Sequence, residues 1–241
     1  MDFNTGSGDS GGSGPSPRGP GGAPPRVSGG GSGVEFNFSD PVGSFIAAAR
    51  GVLLGAANFF RSIARQGDIA SPIVFALICY EVYAILAGIL SLLFGGITSF
   101  GTGSAGEQAA GAATSVGGFV VGIILAPIIA AIILFVMSGI RHLLVIMIVG
   151  RGNAGFEATL RVQAYTFATR LFWWIPILGA IVGFFYGIYL SVIGIREVHS
   201  TTTGKAALVV LIPLGVFLIL LALLAAVLGA VIFTVLQQQV Q

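Results

Sequence analysis

Residues 177–195 contain no charged side chain in 19 positions. That run decides which solvent the chain folds in, because about 20 apolar residues in a helix cross a bilayer. It stops at Arg196, Glu197 and His199, shortly before Lys205. It is preceded by Trp173-Trp174-Ile175-Pro176. A residue before proline is pushed out of the helical region, so the chain turns here. The two Trp rings at the turn favour a membrane–water interface. Residues 156–205 therefore read as a helical hairpin in a membrane, with its bend on one side and its charged feet on the other.

Composition agrees. The chain is 55% hydrophobic and 8% charged, with a mean hydropathy of +0.98, whereas soluble domains carry about 25% charged residues. An all-α integral membrane protein is expected. The one cysteine, Cys79, lies in an apolar run, so neither a disulfide framework nor a cysteine metal set is expected. No amino-terminal signal peptide is expected, since the first long apolar run begins after residue 70.

In chain order, residues 1–39 are rich in Gly, Ser and Pro and read as a disordered arm. Residues 40–70 read as an amphipathic interfacial helix. Asp40-Pro41 supplies an N-cap followed by proline at the first helical position. At about 100° per residue, Arg50, Asn58, Arg61 and Arg65 share one arc, opposite Phe45, Val52, Ala56, Phe59 and Ile63. Arginines opposite phenylalanines suit an anionic headgroup layer, making Arg50, Arg61 and Arg65 candidate membrane-surface contacts. The alternative is a helix packed on the membrane domain.

Residues 71–236 then supply five spans, at about 72–94, 119–142, 156–174, 177–195 and 208–234. The loop between the first two carries only Glu107. In the second, either Arg141 and His142 mark the interface, or the helix runs on and they face protein. The fifth is long and contains Pro213. Lys and Arg cluster before the first span, after the second and after the fourth, and are absent from the first loop and the C-terminal tail. That alternation puts the N-terminus in the cytoplasm and the C-terminus outside, in the plasma or inner membrane if the chain is prokaryotic.

The segments HLLVIMIVGRGNAGFEATLRVQAY and LFWWIPILGAIVGFFYGIYLSVIGIREVHSTTTGKA carry a resemblance. With His142, Gly150, Phe156, Tyr165, Pro176, Gly179, Gly194, His199 and Lys205 in matching places, the chain resembles the Yip (Ypt/Rab-interacting) domain family, prokaryotic branch. The resemblance covers roughly residues 40–235. It implies a five-span membrane domain behind a cytoplasmic arm, and a scaffold or membrane-organising role. The acidic segment that eukaryotic members tend to have before the first span is replaced by GDIASPI, and a Gly-Tyr with a following Pro by Ala164-Tyr165-Thr166. The family's link to Rab GTPases and vesicle traffic is therefore not carried over.

Five ionisable groups fall in or beside the spans: Glu81, His142, Glu157, Arg161 and Arg170. Glu81 is expected about 13–14 Å deep, near the midplane. Intramembrane charges are costly and mark functional sites by default. The sharp reading pairs Glu81 with Arg161, Arg170 or His142 in a cluster that carries a proton or binds a headgroup, as in a small transporter, channel or lipid-handling protein. The bland reading is a structural ion pair, and it is favoured. Hydrolase, metalloprotease and phosphate-loop motifs are absent, so no enzyme, catalytic residue, metal or cofactor is expected. Gly179, Gly183 and Gly187 form a ladder at four-residue spacing that lets a neighbouring helix approach closely. Packing within the chain is the expectation there, with a homo-oligomer as the alternative. The expected partners are the lipid bilayer and a protein met through the arm, not nucleic acid.

Overall fold

The structure, a computed structural model, describes residues 35–93 and 116–239. The expectations for residues 1–34 and for the loop carrying Glu107 lie outside the described residues. Among the described residues six α-helices follow one another: α1 Pro41–Ser62, α2 Ala70–Leu93, α3 Val116–Ile148, α4 Phe156–Thr166, α5 Leu178–Val198 and α6 Thr203–Gln239, with a 3-10 helix, Phe167–Phe172, between α4 and α5. No strand occurs among the described residues. Five helices, α1, α2, α3, α5 and α6, are long and apolar enough to cross a membrane. The protein is a multi-pass, all-α membrane protein.

The polar α4 is the axis of this bundle. Every residue from 158 to 169 is buried. The segment expected as one 19-residue helix is in fact an 11-residue α-helix followed by six residues of 3-10 helix. The local cause is two threonines. Thr166 Oγ1 donates to the Val162 carbonyl at 2.7 Å, and Thr169 Oγ1 to the Thr166 carbonyl at 3.0 Å. Side-chain hydroxyls that take main-chain carbonyls compete with the α-helical ladder. With rises of about 1.5 and 2.0 Å per residue the two pieces together still cover about 28 Å, a hydrocarbon thickness.

The 3-10 helix runs into the expected turn. Ile177 (φ 61°, ψ −64°) is held by a Leu178 N–H to Pro176 carbonyl bond of 2.6 Å, a strained γ-turn. The glycine ladder lies against the incoming chain. A Cβ on Gly179 would meet the Phe172 carbonyl oxygen at 1.9 Å, and one on Gly183 the Trp173 ring at 2.2 Å, while one on Gly187 would find only ordinary contact with Thr169 at 3.5 Å. The ladder thus serves packing within the hairpin.

α3 is not confined to 119–142. It continues to Ile148, so Arg141 and His142 lie inside the helix and face protein. α2 starts at Ala70 because Asp68 caps it, its carboxylate accepting from the Ala70 N–H at 2.9 Å and the Ser71 N–H at 3.2 Å. α6 passes through Pro213 without a break and begins where Thr202 Oγ1 accepts from the Lys205 N–H at 3.4 Å.

α1 departs most from a straight interfacial rod. Asp40 caps it, as expected, accepting from the Gly43 N–H at 2.9 Å. At Gly55 (φ −142°, ψ 43°) the backbone leaves the helical region. Straight, the helix would put Ser44 and Ala64 about 30 Å apart. Yet Ser44 Oγ accepts from the Asn37 N–H at 3.0 Å, and Glu35, two residues upstream, accepts from the Ala64 N–H. Two extended residues and one side chain cannot cover 30 Å, so α1 is folded at Gly55. Its two ends come to the same side of the bundle. The ring path Phe45–Phe75–Tyr165–Phe59, with steps of 5.2, 5.0 and 4.9 Å, links the two halves across α2 and α4. Tyr186 donates its hydroxyl to the Leu53 carbonyl beside the break.

The phenylalanine face of α1 is turned to protein. Val52, Ala56, Phe59, Phe60 and Ile63 are buried, while Arg50, Asn58, Arg61 and Arg65 are exposed. The helix is packed on the membrane domain. The arm, expected to be disordered through residue 39, is already packed at its end: Glu35 and Phe36 are buried. Phe36 is an apolar ring next to a core of rings, and Glu35 has a cation to meet.

Candidate functional site

The charged feet gather at one end of the bundle. Arg161, buried in α4, bonds Glu35 Oε2 through Nη1 at 3.0 Å and Glu157 Oε1 through Nη2 at 2.9 Å. Nη2 also donates to the Asp68 carbonyl at 2.5 Å, and Tyr165 donates to Glu35 at 3.3 Å. Arg61 Nε meets Glu197 at 3.1 Å, Arg65 donates to Ser200 Oγ at 3.1 Å, and Arg196 pairs with Glu197. The α1–α2 loop, the start of α4 and the end of α5 are thereby joined. The Ser71 hydroxyl, with the Ala70 and Ser71 N–H groups, holds the Asp68 carboxyl below the usual carboxylate range.

A second polar line crosses that end. His142 Nδ1 is 3.0 Å from Thr159 Oγ1, which is 3.1 Å from His199 Nε2. His199 Nδ1 accepts the Ala154 N–H at 3.1 Å. An imidazole that accepts at Nδ1 carries its proton at Nε2, so His199 donates to Thr159. Burial, then the neighbouring His142 and Arg65, push its pKa down to about 4. His199 is thus a neutral bridge between the α3–α4 turn and α4.

Deeper in the bundle lies a cavity of about 660 Å³ between α3, α4 with its 3-10 extension, α5 and α6. Its polar wall is Arg141, Gln163, Thr166, Thr169, Arg170 and Ser191. Arg141 Nη1 donates to Gln163 Oε1 and, at 3.0 Å, to Ser191 Oγ. The Arg170 guanidinium stacks over Trp173, 3.9 Å from the ring centroid, with Tyr80 and Phe167 at 5.9 Å. The apolar wall comes mainly from α6, with Val210, Pro213, Leu214 and Phe217. Met137, Ile140, Phe184 and Phe217 at its edge are exposed, so the rim is apolar where lipid tails would lie.

The expected single cluster therefore does not form. Arg161 and Glu157 belong to the charged end, His142 to the histidine line and Arg170 to the cavity. Glu81 pairs with none of them. Its Oε2 is buried without a hydrogen-bond partner among the described residues, and Glu81 does not line the cavity. Sequence spacing had placed Glu81 near the midplane and Arg170 near the end of its span, but position along a span does not set which face a side chain takes. Glu35, Gln163 and Ser191 were not singled out beforehand, and Arg141 and Trp173 only for their place in the membrane. One signal was available for the wall: Gln163, Thr166 and Thr169 recur at three-residue spacing inside an expected span. Among the described residues no group of three His, Cys, Asp or Glu could hold a metal ion.

A family model described as the Yip1 domain matches residues 50–224. That stretch takes in α1 from Arg50 onward, the α4 axis, the hairpin, the histidine line, the cavity and the charged end except Glu35. No curated protein and no solved structure matches the chain.

Proposed function

Because the chain belongs to the Yip1 domain family, we propose that it is a non-enzymatic membrane-organising scaffold, with α1 as a wedge in one leaflet. The observation that carries this reading is the fold of α1 at Gly55, which brings both of its ends to the charged side of the bundle. Such a helix occupies one leaflet without crossing. Its outward face combines Val42, Ile46 and Leu54, 70%, 44% and 85% exposed, with Arg50. Apolar groups beside arginines suit the headgroup and acyl boundary of an anionic leaflet. α2, α3, α4 with its extension, α5 and α6 then make five crossings. The N-terminus lies in the cytoplasm, where the cationic end belongs, and the C-terminus lies opposite. The arm of residues 1–34 recruits a protein partner from there.

Reconstitution of the full chain into anionic vesicles tests the wedge. Wild-type protein is expected to enrich in small, strongly curved vesicles, and Leu54→Asp to lose that enrichment while remaining inserted. Equal partition of both proteins over all vesicle radii would overturn the reading. Transport through Glu81 is the weaker alternative, since the cavity is walled by other residues.

A further inference from the structure

We propose that the cavity beside α4 is a binding site for one anionic phospholipid, with the phosphate held by Arg141 and Arg170 and one acyl chain laid against α6. The first observation is charge. Among the described residues, four ion pairs occur, and all lie at the charged end, at Arg61, Arg161 and Arg196. Among the described residues Arg141 and Arg170, deeper in the bundle, have no carboxylate partner: there Arg141 meets only neutral oxygens, and Arg170 only ring faces. Guanidinium groups at membrane depth are expensive unless a counter-charge is supplied. Both line the same cavity, so an anionic headgroup there supplies the counter-charge that neither finds among the described residues.

The second observation is the shape and chemistry of the walls. Polar side chains come from α4 and its 3-10 extension, with Arg141 of α3 and Ser191 of α5 beside them, and apolar ones mainly from α6. That division matches a molecule with an anionic head and a hydrocarbon chain. A volume of about 660 Å³ is in the range of small-molecule sites, about 300–1,000 Å³, and leaves the second chain outside in the bilayer. The exposed rim residues Met137, Ile140, Phe184 and Phe217 let a lipid enter sideways from the membrane. A third observation is Trp173 Nε1, a buried donor at the same wall with no acceptor among the described residues. Arginine suits this task because its fork presents paired N–H donors to phosphate oxygens.

The test is native mass spectrometry on the full chain in detergent, with phosphatidylglycerol and phosphatidylcholine of identical acyl chains added in turn. One phosphatidylglycerol per chain is expected, held at least tenfold more tightly than phosphatidylcholine. Arg141→Gln and Arg170→Gln should each weaken it tenfold or more, and Arg151→Gln, in the exposed turn between α3 and α4, should leave it unchanged. Should either arginine variant fail to fold, Leu214→Trp decides, because it fills the cavity from α6 and removes no charge. It should expel the lipid while the protein elutes as a single folded species. Equal retention of both lipids would overturn the proposal, as would wild-type binding by Leu214→Trp. Displacement of the phospholipid by inorganic phosphate at millimolar concentration would also overturn it, in favour of a site for a soluble anion.

Discussion

Glu35 and Arg161 lie 126 positions apart and meet at 3.0 Å, both almost fully buried. The pair fastens the segment ahead of α1 to the central helix. Glu35 uses its other oxygen on the Ala64 N–H, at the far end of α1. One carboxylate therefore holds both ends of the folded α1 against α4.

Loss of this link should be felt throughout the charged end. Arg161→Met strands Glu35 in a buried place, and breaking such a pair costs about 3–5 kcal/mol. Glu35→Gln leaves Arg161 its Glu157 and Asp68 contacts, so a loss of about 1–3 kcal/mol is expected. Thermal unfolding in detergent micelles would rank the two. A ranking with Glu35→Gln the more harmful would contradict the geometry.

The glycine ladder gives a graded prediction. Gly179→Ala drives a methyl into the Phe172 carbonyl and should cost about 1–3 kcal/mol or more, as overpacking does. Gly187→Ala meets only ordinary contact with Thr169. It should be neutral or stabilise by about 0.4–1 kcal/mol, because alanine restricts the unfolded chain. Equal effects at the two positions would mean that the hairpin is looser than described.

Acid should destabilise the charged end through His199. Its folded pKa of about 4 lies below the ordinary 6.5. Between those values the unfolded chain binds the extra proton, so stability is full above pH 6.5 and falls as the pH drops toward 4. The loss is on the order of 2 kcal/mol over that window. Asp68, held low, adds its own loss only below the carboxylate range, so it does not overlap. Unfolding followed from pH 7.5 to 4.5 should show this slope in wild type and lose most of it in His199→Gln.

Cysteine labelling can read the arrangement of the crossings. In a Cys79→Ser background, probes at Gly67, Asn153 and Thr202 should react from one side of a sealed vesicle, and a probe at Ile175 from the other. Labelling of Ile175 together with Thr202 would mean that the hairpin does not cross.

Much of this protein was legible in one dimension. Hydropathy gave the solvent, the helices and the hairpin, because burying main-chain polar groups in lipid leaves helices as the means of crossing. Periodicity gave the arginine and phenylalanine arcs of α1, and Asp40-Pro41 gave its start. Those properties depend on residues within a turn or two of each other. What each charge touches was settled only by packing. Arg161 finds Glu35 from across the chain, while Arg141 and Arg170 find no carboxylate among the described residues and share a cavity. Glu81 lines neither the cavity nor the charged end. The fold of α1 is likewise tertiary: Gly55 permits it, but the bonds from Glu35 to Ala64 and from Tyr186 to Leu53 hold it. Local pattern sets how deep a residue lies, and only helix packing sets which neighbour it faces, so the electrostatics had to wait for the structure.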